Sequence, residues 1–298
     1  MQLQTPVTPV SPSWTLGLDR PLLLLGSCFA DEIGTRLSDA GFDVLCNPFG
    51  TLYNPLSVAA ALQMALADTP FPEDKVFFHD GLWHSWMHHS RFSSPDRETC
   101  LARCNQSLQA TREQLRKGPL LLVTFGTAWV FYRDGEVVAN CHKLPPDQFV
   151  RRRLTVDEIV ATWTALVSSL DARYATYHAQ CSMLFTVSPI RHLADTAHGN
   201  QLSKSTLLLA VDQLVAQASE RSSHPQIDYF PSYEILLDEL RDYRFYARDM
   251  CHPSDLAADI VYERFLETFV SPATRQQCLL NKKQALRAVH RPIITPDT

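Results

Sequence analysis

The sequence lacks any long hydrophobic run. Hydrophobic residues make up 45% of its 298 residues, yet no apolar stretch approaches the roughly 20 residues that a membrane helix requires. The first residues, MQLQTPVTPVSPSW, contain neither the basic nor the hydrophobic segment of a secretory signal peptide. We therefore expect a cytoplasmic protein with no membrane partner.

The sequence also lacks a surplus of basic residues. Its net charge is -5, with 27 Lys and Arg against 32 Asp and Glu, and the basic residues are scattered. Because nucleic-acid binding needs a concentrated positive surface, we expect no nucleic-acid partner. The 8 cysteines are most simply reduced thiols, since disulfide frameworks belong to small secreted chains.

Internal repeats, low-complexity segments and a convincing linker are absent as well, so we expect one domain over residues 1–298. Short apolar runs alternate with amphipathic stretches from residue 21 onward. This alternation predicts an α/β fold, a three-layer α/β/α sandwich around a mostly parallel sheet of about five strands. Four segments stand apart from that pattern: an extended arm (1–20), an irregular insertion rich in aromatics and histidine (69–97), a β-hairpin (128–140) and a C-terminal tail (271–298).

The segment LLLLGSCFADEIGTRL, residues 22–37, predicts a buried strand, a tight turn and a helix. In such a sheet the ligand site lies beyond the carboxyl ends of the strands, where loops meet helix N-termini. Ser27 therefore stands where a nucleophile is expected, with its own backbone N–H free to stabilise an oxyanion. The alternative is that Ser27 only caps the helix.

A general base for this serine is found near the other end of the chain. In ARDMCHPSDLAAD, Asp249 and His252 lie three residues apart, just before a predicted helix. One short loop can present both side chains, so that the carboxylate accepts from Nδ1 while Nε2 faces a hydroxyl. The alternative is an ordinary surface loop.

Cys28 offers a second nucleophile beside Ser27. If the turn directs its thiol toward His252, the chemistry becomes that of a thiol acyltransferase or hydrolase. Otherwise Cys28 is a small buried thiol that packs inward.

Taken together, these segments resemble the GSCFA family of the SGNH or GDSL-like hydrolase superfamily. The family signature GSCFA occupies residues 26–30. Further similar segments are NPFGTLYNP (47–55), GLWHSW (81–86), TFGTAWVF (124–131), NCHKLP (140–145), TVSPIRH (186–192) and NQLSKS (200–205). The resemblance implies a flavodoxin-like sandwich of the SGNH type.

For the site, the resemblance implies a triad of Ser27, His252 and Asp249, with Gly50 as an oxyanion glycine. This sequence departs from the superfamily pattern in two places. The asparagine of a Gly-x-Asn-Asp segment after the third strand is missing, and the superfamily's Gly-Asp-Ser has no Asp here. One oxyanion donor is therefore unassigned. Candidates for it are Thr127, Asn140 and His142, if the hairpin folds over the pocket.

The aromatic insertion supplies further candidates. His89 and Arg91 are in a position to contact an anionic or hydroxylated substrate. His84 and His88 have the i, i+4 spacing that holds zinc on a helix, but no companion ligand completes the set. We expect neither a metal nor an organic cofactor. His192 and Asp195 are candidates for supporting roles.

The expected function is that of an enzyme, a serine-dependent esterase acting on a small acylated, sugar-type substrate. Two alternatives stay open: an acyltransferase using the same triad, and a non-catalytic binding domain with an incomplete oxyanion hole. The sequence also leaves open the acyl group, the acceptor and whether the chain forms a homo-oligomer.

Overall fold

A computed structural model of the protein describes residues 5–10, 12, 14–220 and 226–289. The strands in this part of the chain are β1 (Leu22–Gly26), β2 (Val44–Cys46), β3 (Val76–His79), β4 (Leu82–Ser85), β5 (Leu120–Phe125), β6 (Trp129–Arg133), β7 (Glu136–Val138), β8 (Val150–Arg153), β9 (Ser182–Val187) and β10 (Gln226–Tyr229). The helices are α1 (Cys28–Asp39), α2 (Pro55–Leu66), α3 (Arg97–Arg116), α4 (Val156–Thr176), α5 (Thr196–Ser219), α6 (Ser232–Glu234), α7 (Asp255–Phe269) and α8 (Pro272–Val289).

The central sheet contains five parallel strands in the order β10-β9-β5-β1-β2. Numbered along the chain within this sheet, the order is 2-1-3-4-5, which is the flavodoxin-like arrangement. In such a sheet the strand order reverses between the first strand and its neighbour, here between β1 and β5. Ligands of doubly wound sheets bind beyond the carboxyl ends of the strands at this point.

Side chains of β1 alternate between two hydrophobic clusters, one on each face of the sheet. Leu23 and Leu25 belong to the cluster that includes α2, α3, α4 and α5, whereas Leu22 and Leu24 belong to the cluster that includes α1 and α7. All four leucines are buried, and each contributes about 2 kcal/mol by leaving water. The helices thus cover both faces, which confirms the predicted three-layer α/β/α sandwich.

A second, three-stranded sheet follows β5, in the order β7-β6-β8. Its hairpin turns at Asp134 and Gly135, which both have positive φ angles, 50° and 82°. Two such residues form the turn whose twist matches paired strands. The third strand, β8, was not predicted from the sequence, and it pairs with β6 through residues 150–153.

We expected the insertion at 69–97 to be irregular. Instead, β3 and β4 form an antiparallel hairpin within it. Its turn residues Asp80 and Gly81 again have positive φ angles, 45° and 75°. The same Asp-Gly signal that indicated the hairpin at 134–135 was therefore present here too.

Both terminal segments pack on the sandwich in their described parts. Trp14 stacks on Phe269, with ring centroids 5.0 Å apart, and Leu16 bridges to the end of α7. The amide of Asn281 in α8 donates to the carbonyl of Ala40 at 2.8 Å. Residues 1–4, 11 and 13 of the predicted arm and 290–298 of the predicted tail lie outside the described residues. Within the described ranges, every helix is too short or too polar to span a membrane.

Candidate active site

The turn after β1 is held by glycine and by an asparagine from the neighbouring strand end. Gly26 has φ +144°, and a Cβ at this position would lie 2.1 Å from the carbonyl oxygen of Thr124. The Gly26 N–H donates to Oδ1 of Asn47 at 2.9 Å. Only glycine fits this close approach, and the fixed turn determines where residues 27 and 28 point.

Ser27 lies where the helix-cap alternative predicts, and not in the exposed position of a nucleophile. Its side chain is fully buried, and its Oγ accepts from the N–H of Phe29 at 3.3 Å as the N-cap of α1. Its own N–H is not free, because it donates to the carbonyl of Thr124 at 3.1 Å. Among the hydrogen bonds of the described residues, none joins the Ser27 hydroxyl to His252. The Ser27 N–H continues the backbone pairing of β1 with β5, so Ser27 still belongs to the sheet edge.

Cys28, the first residue of α1, takes the outward position instead. Its Sγ lies 3.6 Å from Nε2 of His252. Burial raises the pKa of the Cys28 thiol, and the charges of Asp31 and Glu32 raise it further, while the N–H groups of Cys28 and Phe29 act in the opposite direction. The resting group is therefore a neutral thiol that needs a base to become a nucleophile.

His252 is placed to be that base. Its Nδ1 lies 2.5 Å from Oδ2 of Asp249. Oδ1 of Asp249 accepts the backbone N–H groups of His252 at 3.0 Å and Cys251 at 2.9 Å. These bonds, together with the imidazole, lower the pKa of Asp249 to about 2. An ionised carboxylate only accepts hydrogen bonds, so the proton of a neutral imidazole lies on Nδ1 and the lone pair of Nε2 faces the sulfur.

Gly50 is not available as the oxyanion glycine that the resemblance implied. It has φ +80°, and its N–H donates to the carbonyl of Asn47 at 2.8 Å within the turn after β2. A Cβ at this position would lie 2.2 Å from the Cβ of His89, so the turn packs tightly against the insertion. The glycine is required by this packing, and its N–H is already used.

The three other proposed oxyanion donors also make hydrogen bonds elsewhere, although in Asn140 the bonded atom is the acceptor Oδ1 and not the amide N–H. Oγ1 of Thr127 pairs with Oγ of Ser203 at 3.0 Å. Oδ1 of Asn140 accepts the N–H of His142 at 2.8 Å. Nε2 of His142 bonds to the carbonyl of Ser85 at 2.7 Å, in a buried aromatic cluster between the two small sheets. The described hydrogen bonds of these side chains include none to Cys28 or His252, because the hairpin packs on the insertion rather than on the β1 turn.

His89 and Arg91 lie beside the turn after β2. The Arg91 guanidinium donates to the carbonyl of Asn47, and the Arg91 N–H donates to Nδ1 of His89 at 3.2 Å. They line the β2 end of the same sheet edge, and their hydrogen bonds stabilise its loops.

His84 and His88 do not share a helix, since His84 lies on β4 and His88 in the turn that follows it. His88 is buried between Oγ of Ser85 at 2.8 Å and Oγ of Ser107 at 3.2 Å. No group of three or more metal-ligating side chains is found in the described part of the chain. The zinc hypothesis therefore has no support in this cluster.

Lys204 is a buried residue near the site that the sequence analysis missed. Its Nζ donates to the carbonyls of Gly126 at 2.6 Å and Ser188 at 2.7 Å, and so links the carboxyl ends of β5 and β9. Burial lowers its pKa to about 7, and the nearby Cys28 counteracts this in part. Lys204 has helical spacing to Leu207 and Val211, which lie on the buried face of α5. This spacing is the feature of the sequence that predicts a buried Lys204.

The fold and the site together define a doubly wound α/β/α protein with a Cys-His-Asp cluster at its topological switch point. The GSCFA family model matches residues 21–265, which include every member of this cluster. The chain belongs to the GSCFA family. Comparison with curated proteins gives no match.

Proposed function

We propose that this protein is a cysteine-dependent acyl hydrolase acting on a small acylated substrate. The observation that carries the proposal is the 3.6 Å approach of the Cys28 sulfur to Nε2 of His252, whose other ring nitrogen is bound by Asp249. A nucleophile, a base and a group that orients the base are the parts that acyl transfer requires.

The proposed reaction has two half-reactions. In the first, Cys28 Sγ attacks the substrate carbonyl carbon while its proton passes to Nε2 of His252. The tetrahedral intermediate then collapses, the alcohol leaves with that proton, and a thioester to Cys28 remains. In the second, water gives a proton to Nε2 and attacks the thioester, after which the acid leaves and Sγ recovers the proton.

The exposure of the base favours water over another acceptor. The side chains of His252 and Asp249 are each 50% exposed, so solvent reaches the side of the site where the acceptor must approach. An acyltransferase would use the same three residues but must exclude water from the acyl-enzyme. We therefore propose hydrolysis as the principal reaction.

The resemblance to the SGNH or GDSL-like superfamily supports the shift of nucleophile by one residue. In a Gly-Asp-Ser segment the serine is the third residue, and the third residue of Gly26-Ser27-Cys28 is the cysteine. Acylated sugars are the substrate class that this resemblance suggests. A cytoplasmic location, which we also propose, would keep the Cys28 thiol reduced.

The test is hydrolysis of p-nitrophenyl acetate together with mass spectrometry of the trapped acyl-enzyme. We expect acetylation of Cys28 in the wild type, and loss of acetylation and turnover in Cys28→Ala. Ser27→Ala should keep turnover within about tenfold, because it removes a helix cap worth about 1 kcal/mol rather than the nucleophile. Cys141→Ala, which removes a partly exposed thiol in another loop, serves as the matched control.

Two results would contradict the proposal. Turnover that survives in Cys28→Ala and disappears in Ser27→Ala, with labelling of the wild type by a fluorophosphonate, would establish the serine triad instead. A wild type that is never acylated by any of a panel of aryl esters and thioesters would favour the non-catalytic binding domain.

A further inference from the structure

The proposed reaction leaves one requirement unmet by the residues assigned so far. The tetrahedral intermediate carries a negative oxygen, and such oxygens are stabilised by two or more fixed hydrogen-bond donors. The N–H groups of Ser27 and Gly50 are both bonded to backbone carbonyls. Of the three backbone N–H groups considered, only that of Cys28 has no backbone acceptor in the described structure. A side chain can supply the second donor.

His192 has an unpartnered ring nitrogen close to this point. Its Nε2 is buried and has no hydrogen-bond partner in the described structure. A Cβ on Gly126 would lie 3.5 Å from this nitrogen and 3.3 Å from the Cβ of Ser27. The carbonyl oxygen of Tyr53 would lie 3.1 Å from the same Cβ, so Nε2 is enclosed beside Gly126, close to the turn that carries Cys28.

The backbone and the ring of His192 are both held in place. Its N–H donates to Oδ1 of Asn200 at 2.9 Å. Its ring meets the ring of Tyr53 edge-on, with centroids 6.0 Å apart and an interplanar angle of 86°. Tyr53 also accepts the N–H groups of Gly126 and Thr127 on its carbonyl, at 2.8 and 2.9 Å. The unpartnered nitrogen therefore belongs to a ring that packs against Tyr53, beside the carboxyl end of β5.

Burial keeps His192 neutral. It lowers the pKa of the imidazole to about 4, and the nearby positive charges of Lys204 and Arg151 lower it as well, while Asp195 acts in the opposite direction. At neutral pH the ring therefore carries one proton, and His192 is no competitor for the role of base. A buried polar atom without a partner is unfavourable, and a bound ligand is one way in which such an atom is satisfied.

We propose that Nε2 of His192 carries the ring proton and donates a hydrogen bond to the carbonyl oxygen of the substrate and to the oxyanion that forms from it. The N–H of Cys28 is the companion donor. This role rests on the function proposed above. His192, which follows β9, would supply the oxyanion donor that is unassigned because the asparagine of the superfamily is missing. His192 is then a catalytic residue, because it touches the reacting oxygen.

The test compares two reactions of the same thiol. Acetylation of Cys28 by p-nitrophenyl acetate passes through an oxyanion, whereas alkylation by iodoacetamide displaces iodide and forms none. We expect His192→Phe to lower kcat/KM for the ester about 10²- to 10³-fold, mainly through kcat, since one oxyanion donor is lost. Alkylation of Cys28 should stay within about twofold of the wild-type rate. His192→Gln, which restores an N–H donor, should recover part of the ester activity.

His198→Gln, at an exposed position on α5, provides the control and should behave as wild type in both reactions. Full ester turnover in His192→Phe would overturn the donor role while leaving the proposed function intact. Equal losses of acetylation and alkylation would show that His192 only supports the fold around Cys28. A wild type that is alkylated at Cys28 but never acetylated would overturn the proposed function, and the donor role with it.

Discussion

The sulfur of Cys28 and Nε2 of His252 lie 3.6 Å apart, although 224 positions separate the two residues in the chain. The contact depends on the helices that begin beside them, because α1 starts at Cys28 and α7 starts three residues after His252. These helices pack on the same face of the sheet, where Nε of Arg36 contacts Oδ1 of Asp259 at 2.8 Å. The geometry of the site is therefore a property of the helix pair rather than of either loop.

The protonation of Cys28 predicts how its reactivity changes with pH. Because burial raises its pKa above the ordinary value of 9.0, the fraction of thiolate and the alkylation rate should still be rising at pH 9. The measurement is the rate of carbamidomethylation of Cys28 by iodoacetamide between pH 6 and 10, followed by mass spectrometry. A plateau already reached below pH 7 would reveal a preformed thiolate and imidazolium pair, contrary to this prediction.

Gly26→Ala should lower the free energy of unfolding more than the same substitution at a glycine in an open turn. The added Cβ would meet the Thr124 carbonyl at 2.1 Å, at a φ of +144°. We expect a loss of about 3 kcal/mol in the free energy of unfolding. Gly135→Ala is the matched control, since its φ is +82° but no atom lies within 4 Å of the new Cβ, and it should cost only about 1 kcal/mol. Urea unfolding measures both, and equal losses would refute the steric argument.

Asp249→Asn should reduce turnover with little effect on folding. The amide of the variant presents a donor to Nδ1 of His252, which moves the imidazole proton to Nε2 and removes the lone pair that faces Cys28. We expect kcat to fall about 10³- to 10⁴-fold, as for other triads with this change. The control is Asp242→Asn, an exposed carboxylate that caps a short helical turn in the preceding segment. Near-normal kcat in Asp249→Asn would mean that the carboxylate does not orient the base.

His142 should make the fold sensitive to acid. Burial lowers its pKa to about 4 in the folded protein, whereas the unfolded chain has the ordinary value of 6.5. Between these values the unfolded state binds more protons, so stability falls as the pH falls from 6.5 toward 4, by up to about 1.4 kcal/mol per pH unit. His142→Gln removes this titration while keeping a donor for the Ser85 carbonyl. Urea unfolding at pH 7, 6 and 5 should therefore show a shallower decline in the variant, and identical slopes would contradict the assignment.

Much of the fold could be predicted because its signals are local. The run of leucines in β1 and the helical spacing after it require only neighbouring residues to be interpreted, and the same holds for the Asp-Gly turn at 134–135. The hairpin that turns at 80–81 also contains an Asp-Gly turn. Its strands were not predicted, because they are short and their aromatic and histidine residues do not alternate clearly between apolar and polar. The strand β8 has no local signal, since VRRR becomes a strand only by pairing with β6.

The sequence by itself determined the alternation of strands and helices, the loop that joins Asp249 to His252, and the restriction of residue 26 to glycine. Local sterics and the spacing of apolar residues are sufficient for each of these. Only the tertiary structure decided which of two adjacent side chains faces the imidazole. Ser27 bonds through its N–H to Thr124 on the next strand, and this bond, made between residues 97 positions apart, leaves Cys28 as the first side chain beyond the sheet. The position of Nε2 of His192 beside Gly126 was likewise decided by packing between distant elements, because no spacing along one chain segment specifies it.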